Sequence, residues 1–288
     1  MHYRKSFRAI ASVTVAVAAL TLTIGAAYAL DESKYPNWGG QWLRVPDGGP
    51  PRYDTTKPIR KQEAPLKPEY QALYQASLND IDAGGFGLDT HYACMPTGMP
   101  RQMSGVSRFE FVFGPNATHI VFEDMTLSPR RIYTDGRDWP RDLKTREPTF
   151  VGHSLGKWLD TDGDGRYDTL EIETRHVRGP RTWDQTGMPM ADDGDAVFME
   201  RIYLDKGNPN ILHDEITTTD NSLTRPWTVT KNYRREQNVT WEENNCVEGN
   251  AYITVNKQVY VVSGDGLLMP SKKNQPGPDL RYFKQAGK

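Results

Sequence analysis

A run of acidic residues with a regular spacing stands near the middle of the chain, in the segment DTDGDGRYDTLE at residues 160–171. Calcium prefers oxygen ligands, and a loop of this length supplies them from positions 1, 3, 5, 7, 9 and 12, with glycine at position 6 for the sharp turn. Every one of these positions matches, and position 7 contributes its backbone carbonyl. The sequence therefore predicts one Ca²⁺ site, with ligands from Asp160, Asp162, Asp164, Arg166, Asp168 and Glu171.

The residues that flank this acidic loop predict what kind of calcium site it is. VGHSLGKWL before the loop is short and contains two glycines, and TLEIET after it alternates apolar and acidic residues, so both flanks predict strands. The spacing resembles the calcium loops of EF-hands and dockerins, but a loop at a hairpin tip has no helix pair to open as a sensor does. We therefore expect structural rather than catalytic calcium. The alternative is an acidic turn without metal, in which the carboxylates would repel one another.

A histidine between two glycines, His153 in VGHSLG, is the candidate for acid–base chemistry. Histidine titrates near neutral pH, and a general base of this type needs a carboxylate that fixes its tautomer. Arginines nearby in sequence can hold a developing anion. The alternatives are a core histidine and arginines that form ordinary salt bridges. The candidate catalytic residues are His153, its orienting carboxylate Asp135 (or Glu123), the anion-stabilising Arg131 and Arg101, and Tyr133.

Other chemistries find less support. Ser154 is the central residue of a G-x-S-x-G pattern, but that nucleophile needs a strand–turn–helix context, which alternating strands do not provide. The remaining histidines lack H-x-H and H-E-x-x-H spacing, so a zinc or iron site would have to be assembled from distant strands. The sequence contains no Rossmann glycine fingerprint, Walker loop or C-x-x-C-H motif. We therefore expect chemistry without an organic cofactor.

The amino terminus and the overall charge predict where the protein acts. Three basic residues precede an apolar run that ends in Ala27-Tyr28-Ala29, the pattern of a secretory signal peptide cleaved after Ala29. The mature chain of about 259 residues then has 32 basic and 37 acidic residues, a net charge of −5, and lacks the basic face that nucleic acid requires. We expect a periplasmic or secreted protein without a membrane span, in which Cys94 and Cys246 form a disulfide; a free thiol is the alternative.

The periodicity of apolar residues predicts the elements that carry these sites. One helix begins at Pro68, places Tyr70, Leu73, Tyr74, Leu78 and Ile81 on one face, and ends at Gly84-Gly85. From residue 108 the period becomes two, with strands at 108–113, 118–124, 128–136, 149–158, 169–177, 196–204, 211–219, 226–235 and 257–263. A meander with one apolar face closes most easily as an up-and-down barrel or a strongly curved sheet, so the expected fold is all-β.

The predicted organisation has four parts. A signal peptide (1–29) precedes an N-terminal arm and helix packed on the barrel (30–107), the β-barrel domain (108–263) and an irregular C-terminal tail (264–288). The early segment WGGQW contains the Gly-x-Trp triplet found at the start of lipocalin-like barrels, which it resembles.

Four longer segments resemble a broad group of secreted bacterial proteins that carry a GHS[IL]GxW motif. They are CMPTGMPRQM (94–103), RRIYTDGR (130–137), PTFVGHSLGKW (148–158) and the stretch from ERIYLDK to NYRR (200–235). The resemblance implies an extracytoplasmic location and a β-rich fold, and it implies no particular reaction. Relatives in this group run from the motif directly into a strand, so the acidic loop is expected to be an insertion.

Two functions remain open. The first is a cofactor-independent lyase, isomerase or hydrolase that acts on a small aromatic or cyclic molecule in a barrel pocket. The second is a non-catalytic periplasmic binding protein for a hydrophobic ligand. An enzyme should bring a histidine and a carboxylate into hydrogen-bond reach inside the cavity, whereas a carrier should leave the cavity mostly apolar. The many aromatic residues on the strands fill a narrow barrel or line the pocket of a wider one.

Overall fold

The described residues of the computed structural model are 30–46, 52–105, 107–123, 129–238, 240, 252–255, 258–262 and 268–270. Nine strands form a closed barrel in which sequence neighbours lie side by side and the ninth strand closes onto the first. One α-helix and several short 3₁₀ helices accompany the barrel in these ranges. The prediction of an all-β barrel with one helix is thus confirmed. Neither the signal peptide nor Cys246 lies within the described residues, so cleavage and the disulfide stay predictions.

The barrel strands are β1 (Trp42–Val45), β2 (Phe109–Phe113), β3 (Ala117–Phe122), β4 (Arg130–Tyr133), β5 (His153–Leu159), β6 (Thr169–Arg175), β7 (Val197–Leu204), β8 (Ile211–Thr219) and β9 (Trp227–Arg235). A separate sheet contains β10 (Tyr252–Val255), β11 (Gln258–Val262) and β12 (Leu268–Pro270). Helix α1 spans Pro68–Asp82, and 3₁₀ helices span Glu32–Lys34, Thr90–Ala93, Arg101–Ser104 and Leu143–Thr145. Within the described ranges, no helix has the length and apolar character needed to cross a membrane.

Two features of the barrel differ from the organisation that the sequence predicts. Its first strand comes from the expected arm, because β1 pairs with β9 over four residues and meets β2 at Trp42↔Phe109. The segment predicted as a strand at 257–263 instead contributes β11 to the separate sheet. A four-residue strand is too short to show a period of two, whereas the open edges of β2 and β9 need a partner.

Strands β4 and β5 run parallel, in contrast to the other neighbouring pairs of the barrel. Parallel neighbours cannot be joined by a tight turn, so the chain returns through a crossover loop at residues 134–152. This loop lies on the outer surface, where Trp139 stacks with the guanidinium of Arg175 at 4.8 Å and with the ring of His153 at 5.9 Å. The expected up-and-down order is therefore interrupted once.

Aromatic side chains cover both ends of the barrel. At the end that carries the acidic loop, Trp38 packs against Phe111 and Trp158 with ring centroids 4.8 and 5.0 Å apart. At the other end, Tyr53 lies 4.8 Å from Trp183 and 4.6 Å from Trp227. Several of these rings are among the largest fully buried side chains, so the aromatic residues mainly fill the barrel.

Helix α1 lies where the sequence predicts it and buries a narrower face than expected. Pro68 occupies its first turn, Tyr74 and Ser77 are buried, and the Ser77 hydroxyl donates to the carbonyl of Thr186 at 2.8 Å. Leu73, which the sequence places on the same face as Tyr74, is 48% exposed. Leu78 is partly buried and also packs against the core, so the helix docks through Tyr74, Ser77 and Leu78 without a full apolar stripe.

A buried ion pair spans one of the two seams of the barrel with little strand pairing, the other being the single position at which β1 meets β2. Strands β4 and β5 share two paired positions, Ile132↔Ser154 and Tyr133↔Leu155. Arg130 of β4 reaches past β5 to form a two-pronged ion pair with Glu200 of β7, in which both side chains are fully buried, and it donates to Thr174 of β6 at 2.9 Å. The Thr174 hydroxyl in turn lies 2.8 Å from that of Ser154. Arg130 therefore ties four strands together across the seam.

We predict that Arg130→Met costs about 3–5 kcal/mol of unfolding free energy, because it leaves the Glu200 carboxylate buried without its partner. The double variant Arg130→Met/Glu200→Leu should recover most of that loss. Urea denaturation measures both values. The matched control is Arg60→Met, which removes an exposed ion pair with Asp82 and should cost no more than about 1 kcal/mol. Equal effects of the single and double variants would contradict this role.

Candidate functional site

His153 lies at the start of β5 and points away from the barrel interior. Its neighbour Ser154 is fully buried and faces inward, and successive residues of a strand face opposite sides. The ring of His153 packs between Tyr133, at 5.3 Å, and Trp139 of the crossover loop, at 5.9 Å. The histidine is thus an element of an aromatic stack outside the barrel.

The environment of His153 favours its neutral form. Burial is the main cause that lowers its pKa below 6.5, and the positive charges of Arg146, Arg137 and His176 lower it further. The Nε2 atom is buried and has no hydrogen-bond partner among the described residues. A general base needs an orienting carboxylate, and none of the described carboxylates bonds this ring.

The other predicted catalytic residues are dispersed. Arg137 binds the carboxylate of Asp135, lowers its pKa and stacks on Tyr133 at 4.0 Å, so Asp135 is not free to orient His153. Arg131 is exposed and donates through Nε to Nε2 of His119 at 3.1 Å. Glu123 binds Arg108. The structure therefore brings Tyr133 alone to His153.

Arg101 lies in a different part of the molecule. It is buried and forms a two-pronged ion pair with Asp89, and it also donates to the hydroxyl of Thr182 at 2.8 Å. These contacts tie the 3₁₀ helix Arg101–Ser104 to two irregular segments. Arg101 thus has the structural role that the sequence left as its alternative.

A groove lies on the outer surface between the crossover loop and the acidic hairpin. This outer groove has a volume of about 570 Å³, within the range of small-molecule sites. Its walls combine aromatic and apolar side chains with both signs of charge. Lining residues include Tyr35, Arg137, Asp138, Trp139, Leu155, Lys157, Tyr167, Glu171, Glu173 and Met199.

The acidic loop forms the tip of the β5–β6 hairpin, as predicted. The Asp160 carboxylate accepts from the backbone amides of Gly163, Asp164 and Gly165 at 2.7–3.2 Å, which curls the chain around it. Gly163 and Gly165 have φ of +78° and +88°, a conformation that other residues rarely adopt.

Three of the predicted calcium ligands converge. Carboxylate oxygens of Asp160, Asp162 and Asp168 lie within 4.8 Å of one another. Asp164 lies outside this group and accepts from the amide of Arg166, and Glu171 lies on β6 with an oxygen 3.8 Å from Arg201. The loop therefore offers a three-carboxylate cluster, and complete ligation by the six predicted residues would need Asp164 and Glu171 to turn toward it.

The barrel interior contains a set of charged side chains that the sequence reasoning missed. This charged layer consists of Arg44 on β1, Arg130 on β4, Glu200 on β7, Asp214 on β8 and Lys231 on β9, all at most 3% exposed. Burial of charges is costly unless each one is paired and hydrogen-bonded. The Arg130–Glu200 pair meets that condition, as described above.

Asp214 and Lys231 do not pair with each other, although they are direct cross-strand partners. The Lys231 Nζ donates to the carbonyl of Tyr53 at 2.5 Å and to the hydroxyl of Ser104 at 2.8 Å. Neither carboxylate oxygen of Asp214 has a hydrogen-bond partner among the described residues. Burial and the nearby Glu200 raise the pKa of Asp214, and burial together with Arg44 lowers the pKa of Lys231 to about 7.

A signal for these residues exists in the sequence. Each charge stands in phase with the inward apolar residues of its strand, as in Leu212-x-Asp214-x-Ile216 and Val229-x-Lys231-x-Tyr233. The same parity places Ser154 on the side of Trp158 and His153 on the other side. In β5 the pattern is harder to recognise, because two of the inward positions carry Ser154 and Gly156 in place of large apolar residues.

We predict that His153→Phe changes the unfolding free energy by less than about 1 kcal/mol at pH 7.5, because phenylalanine preserves the stack and no hydrogen bond is lost. His153→Ala should cost about 1–3 kcal/mol, since it removes two aromatic contacts. A folded pKa below 6.5 means that the unfolded state binds more protons, so His153 destabilises the wild type as the pH falls below 6.5. The phenylalanine variant should therefore gain stability relative to wild type in that range.

Thermal unfolding at pH 7.5 and 5.5 tests this prediction. The control is His213→Phe, which removes ring contacts to Asn232 at 2.7 Å and Asp205 at 3.1 Å and should be destabilising at both values. An equal loss in the two phenylalanine variants would show that His153 forms a bond that stabilises the fold.

Comparison with known proteins does not supply a function. No family model, curated protein or solved structure matches this chain. The functional assignment therefore rests on the geometry of the outer groove, the acidic loop and the charged layer.

Proposed function

We propose that the protein is an exported, calcium-stabilised β-barrel that binds a small aromatic or apolar molecule in the outer groove. The observation that carries this proposal is the groove itself, an open site of about 570 Å³ with Trp139, Leu155 and Met199 in its walls. Ligand sites combine apolar walls with a few polar groups that fix orientation, and Arg137 and Lys157 are suited to that role.

The filled barrel favours an external site over an internal one. Aromatic rings cover both ends of the barrel, and large side chains such as Trp42 and Tyr233 are fully buried inside it. His153, the candidate base of the enzyme hypothesis, stacks outside the barrel beneath Trp139. Because no described carboxylate orients it, this residue supports binding through the position of Trp139 more than it supports proton transfer.

Calcium is proposed to stabilise one wall of this groove. Tyr167 and Glu171 belong to the acidic loop and also line the groove. A cation held by Asp160, Asp162 and Asp168 would relieve the repulsion of three neighbouring carboxylates and hold the loop in one conformation. The exported location, supported by the amino-terminal signal, provides calcium at the concentrations that such loops require.

We predict that one Ca²⁺ binds per chain, with a Kd of about 10⁻⁴ to 10⁻³ M, typical of extracellular modules. At about 100 times Kd, calcium should stabilise the fold by about 2.7 kcal/mol. Asp160→Asn/Asp162→Asn should abolish both binding and stabilisation, whereas Asp195→Asn, outside the loop, should change neither. Isothermal titration calorimetry and thermal unfolding measure these effects. If millimolar calcium does not change the melting temperature of the wild-type protein, the site is ruled out.

We predict that 8-anilinonaphthalene-1-sulfonate, an aromatic fluorescent probe, binds the folded protein in the outer groove. Met199→Asp should weaken this binding about tenfold, because loss of one apolar contact surface and the new charge together cost about 1.4 kcal/mol or more. Met199 is 48% exposed, so the variant is expected to fold. The control is Val112→Ser, an equally exposed apolar residue on β2.

Calcium gives a second readout of the same site. Probe affinity should increase when calcium is added to the wild type and should not respond in Asp160→Asn/Asp162→Asn. If Met199→Asp and Val112→Ser lower the affinity equally, the probe is binding to general apolar surface and the groove is not the binding site.

A further inference from the structure

The charged layer inside the barrel contains an arrangement that the outer groove does not use. Lys231 and Asp214 face each other across β8 and β9, both fully buried, yet they form no ion pair. A lysine that merely anchored the fold would be expected to direct its charge at the nearest carboxylate. Here the amine instead bonds two neutral oxygens, and the carboxylate has no hydrogen-bond donor among the described residues. A buried polar group left without a partner is costly and characteristic of functional sites.

We propose that Lys231 and Asp214 form a carbonyl-reactive site in the barrel interior, in which the Lys231 amine condenses with a small aldehyde or ketone and Asp214 acts as the proton donor. This inference does not depend on ligand binding in the outer groove.

The surroundings of Lys231 suit an amine nucleophile. A lysine becomes nucleophilic when it is desolvated or lies near another cation. Burial removes water from Lys231, and the positive charge of Arg44 on β1 disfavours the protonated amine. Arg130 on β4 is neutralised by Glu200 on β7, and Tyr233 donates its hydroxyl proton to the carbonyl of Met103 at 2.6 Å. With its pKa near 7, a large fraction of Lys231 carries a free electron pair at neutral pH.

The proposed step conserves atoms and charge. The Nζ electron pair attacks the carbonyl carbon, and one amine proton moves to the carbonyl oxygen, which gives a carbinolamine. The protonated carboxyl of Asp214 then transfers its proton to the carbinolamine hydroxyl, the C–O bond breaks and water leaves. An iminium forms on Nζ, and the Asp214 carboxylate is its counter-ion. Burial raises the pKa of Asp214, which is the direction that favours the acid form used in this step.

The route to this amine lies at the end of the barrel covered by Tyr53. The two acceptors of Lys231 belong to irregular segments, Tyr53 before α1 and Ser104 at the end of a 3₁₀ helix. The Tyr53 ring centroid is 4.1 Å from Nζ, which places an aromatic surface beside the reacting atom. A substrate must displace these two segments, so the compounds that fit are small and carry an apolar group next to the carbonyl.

Reductive trapping tests the proposal. Wild-type protein is incubated near neutral pH with propanal and sodium cyanoborohydride, which reduces an imine to a stable secondary amine, and the labelled lysines are identified by peptide mass spectrometry. An exposed lysine with a pKa of about 10.4 is less than about 0.1% neutral at pH 7. Lys231 is therefore expected to be labelled at least tenfold faster than the exposed lysines.

Variants assign the roles of the two residues. Asp214→Asn should slow labelling of Lys231 about 10- to 100-fold, as expected when a proton donor is lost, without changing the exposed sites. Lys206→Met, an exposed substitution in the turn between β7 and β8, should leave Lys231 labelling unchanged. If the exposed lysines of the wild type are labelled and Lys231 is not, the proposal is overturned. This result does not depend on whether the variants fold. Unchanged labelling in Asp214→Asn would remove Asp214 from it.

Discussion

The barrel depends on the buried ion pair between Arg130 and Glu200. Strand β4 is four residues long and shares two paired positions with β5, so backbone hydrogen bonds alone hold this seam weakly. The Arg130 guanidinium crosses the seam to Glu200 and Thr174. The parallel arrangement of β4 and β5 follows from the crossover loop, and that loop in turn builds the outer groove. One charged side chain thus links closure of the barrel to the site on its surface.

Filling of the barrel interior determines which surfaces are available for function. Trp38 covers the end near the acidic loop, and Tyr53 covers the other end. Lys231 holds Tyr53 and Ser104 in place through two hydrogen bonds, so the charged layer also secures the segments that close the barrel. A ligand of the proposed outer-groove site would enter without rearrangement, whereas a carbonyl compound would have to displace those segments to reach the Lys231 amine. The two proposed sites therefore differ in how a small molecule gains access.

The acidic loop and the outer groove form one physical unit. Tyr167 and Glu171 are part of the loop and also of the groove wall, and the amide of Tyr167 donates to the carbonyl of Lys34 at 2.7 Å. A cation in the loop would neutralise clustered carboxylates and stiffen this wall. The proposed calcium ion would thus influence ligand binding in the groove without contacting the ligand.

The sequence by itself determined the all-β class, helix α1 and the hairpin position of the acidic loop, because period-two alternation and turn residues are local properties. It left a closed barrel and a strongly curved sheet as alternatives, and the pairing of β1 with β9 decided for the barrel. The alternation along the strand also distinguishes the two arginines, because Arg130 is on the same face as the apolar Ile132 and Arg131 is on the opposite face. Tertiary structure decided that β1 joins the barrel and that β4 and β5 run parallel, since both depend on which distant edges meet. It also decided that Asp135 binds Arg137 while Asp214 and Lys231 stay apart, because side-chain pairing depends on burial and on neighbours brought together by the fold.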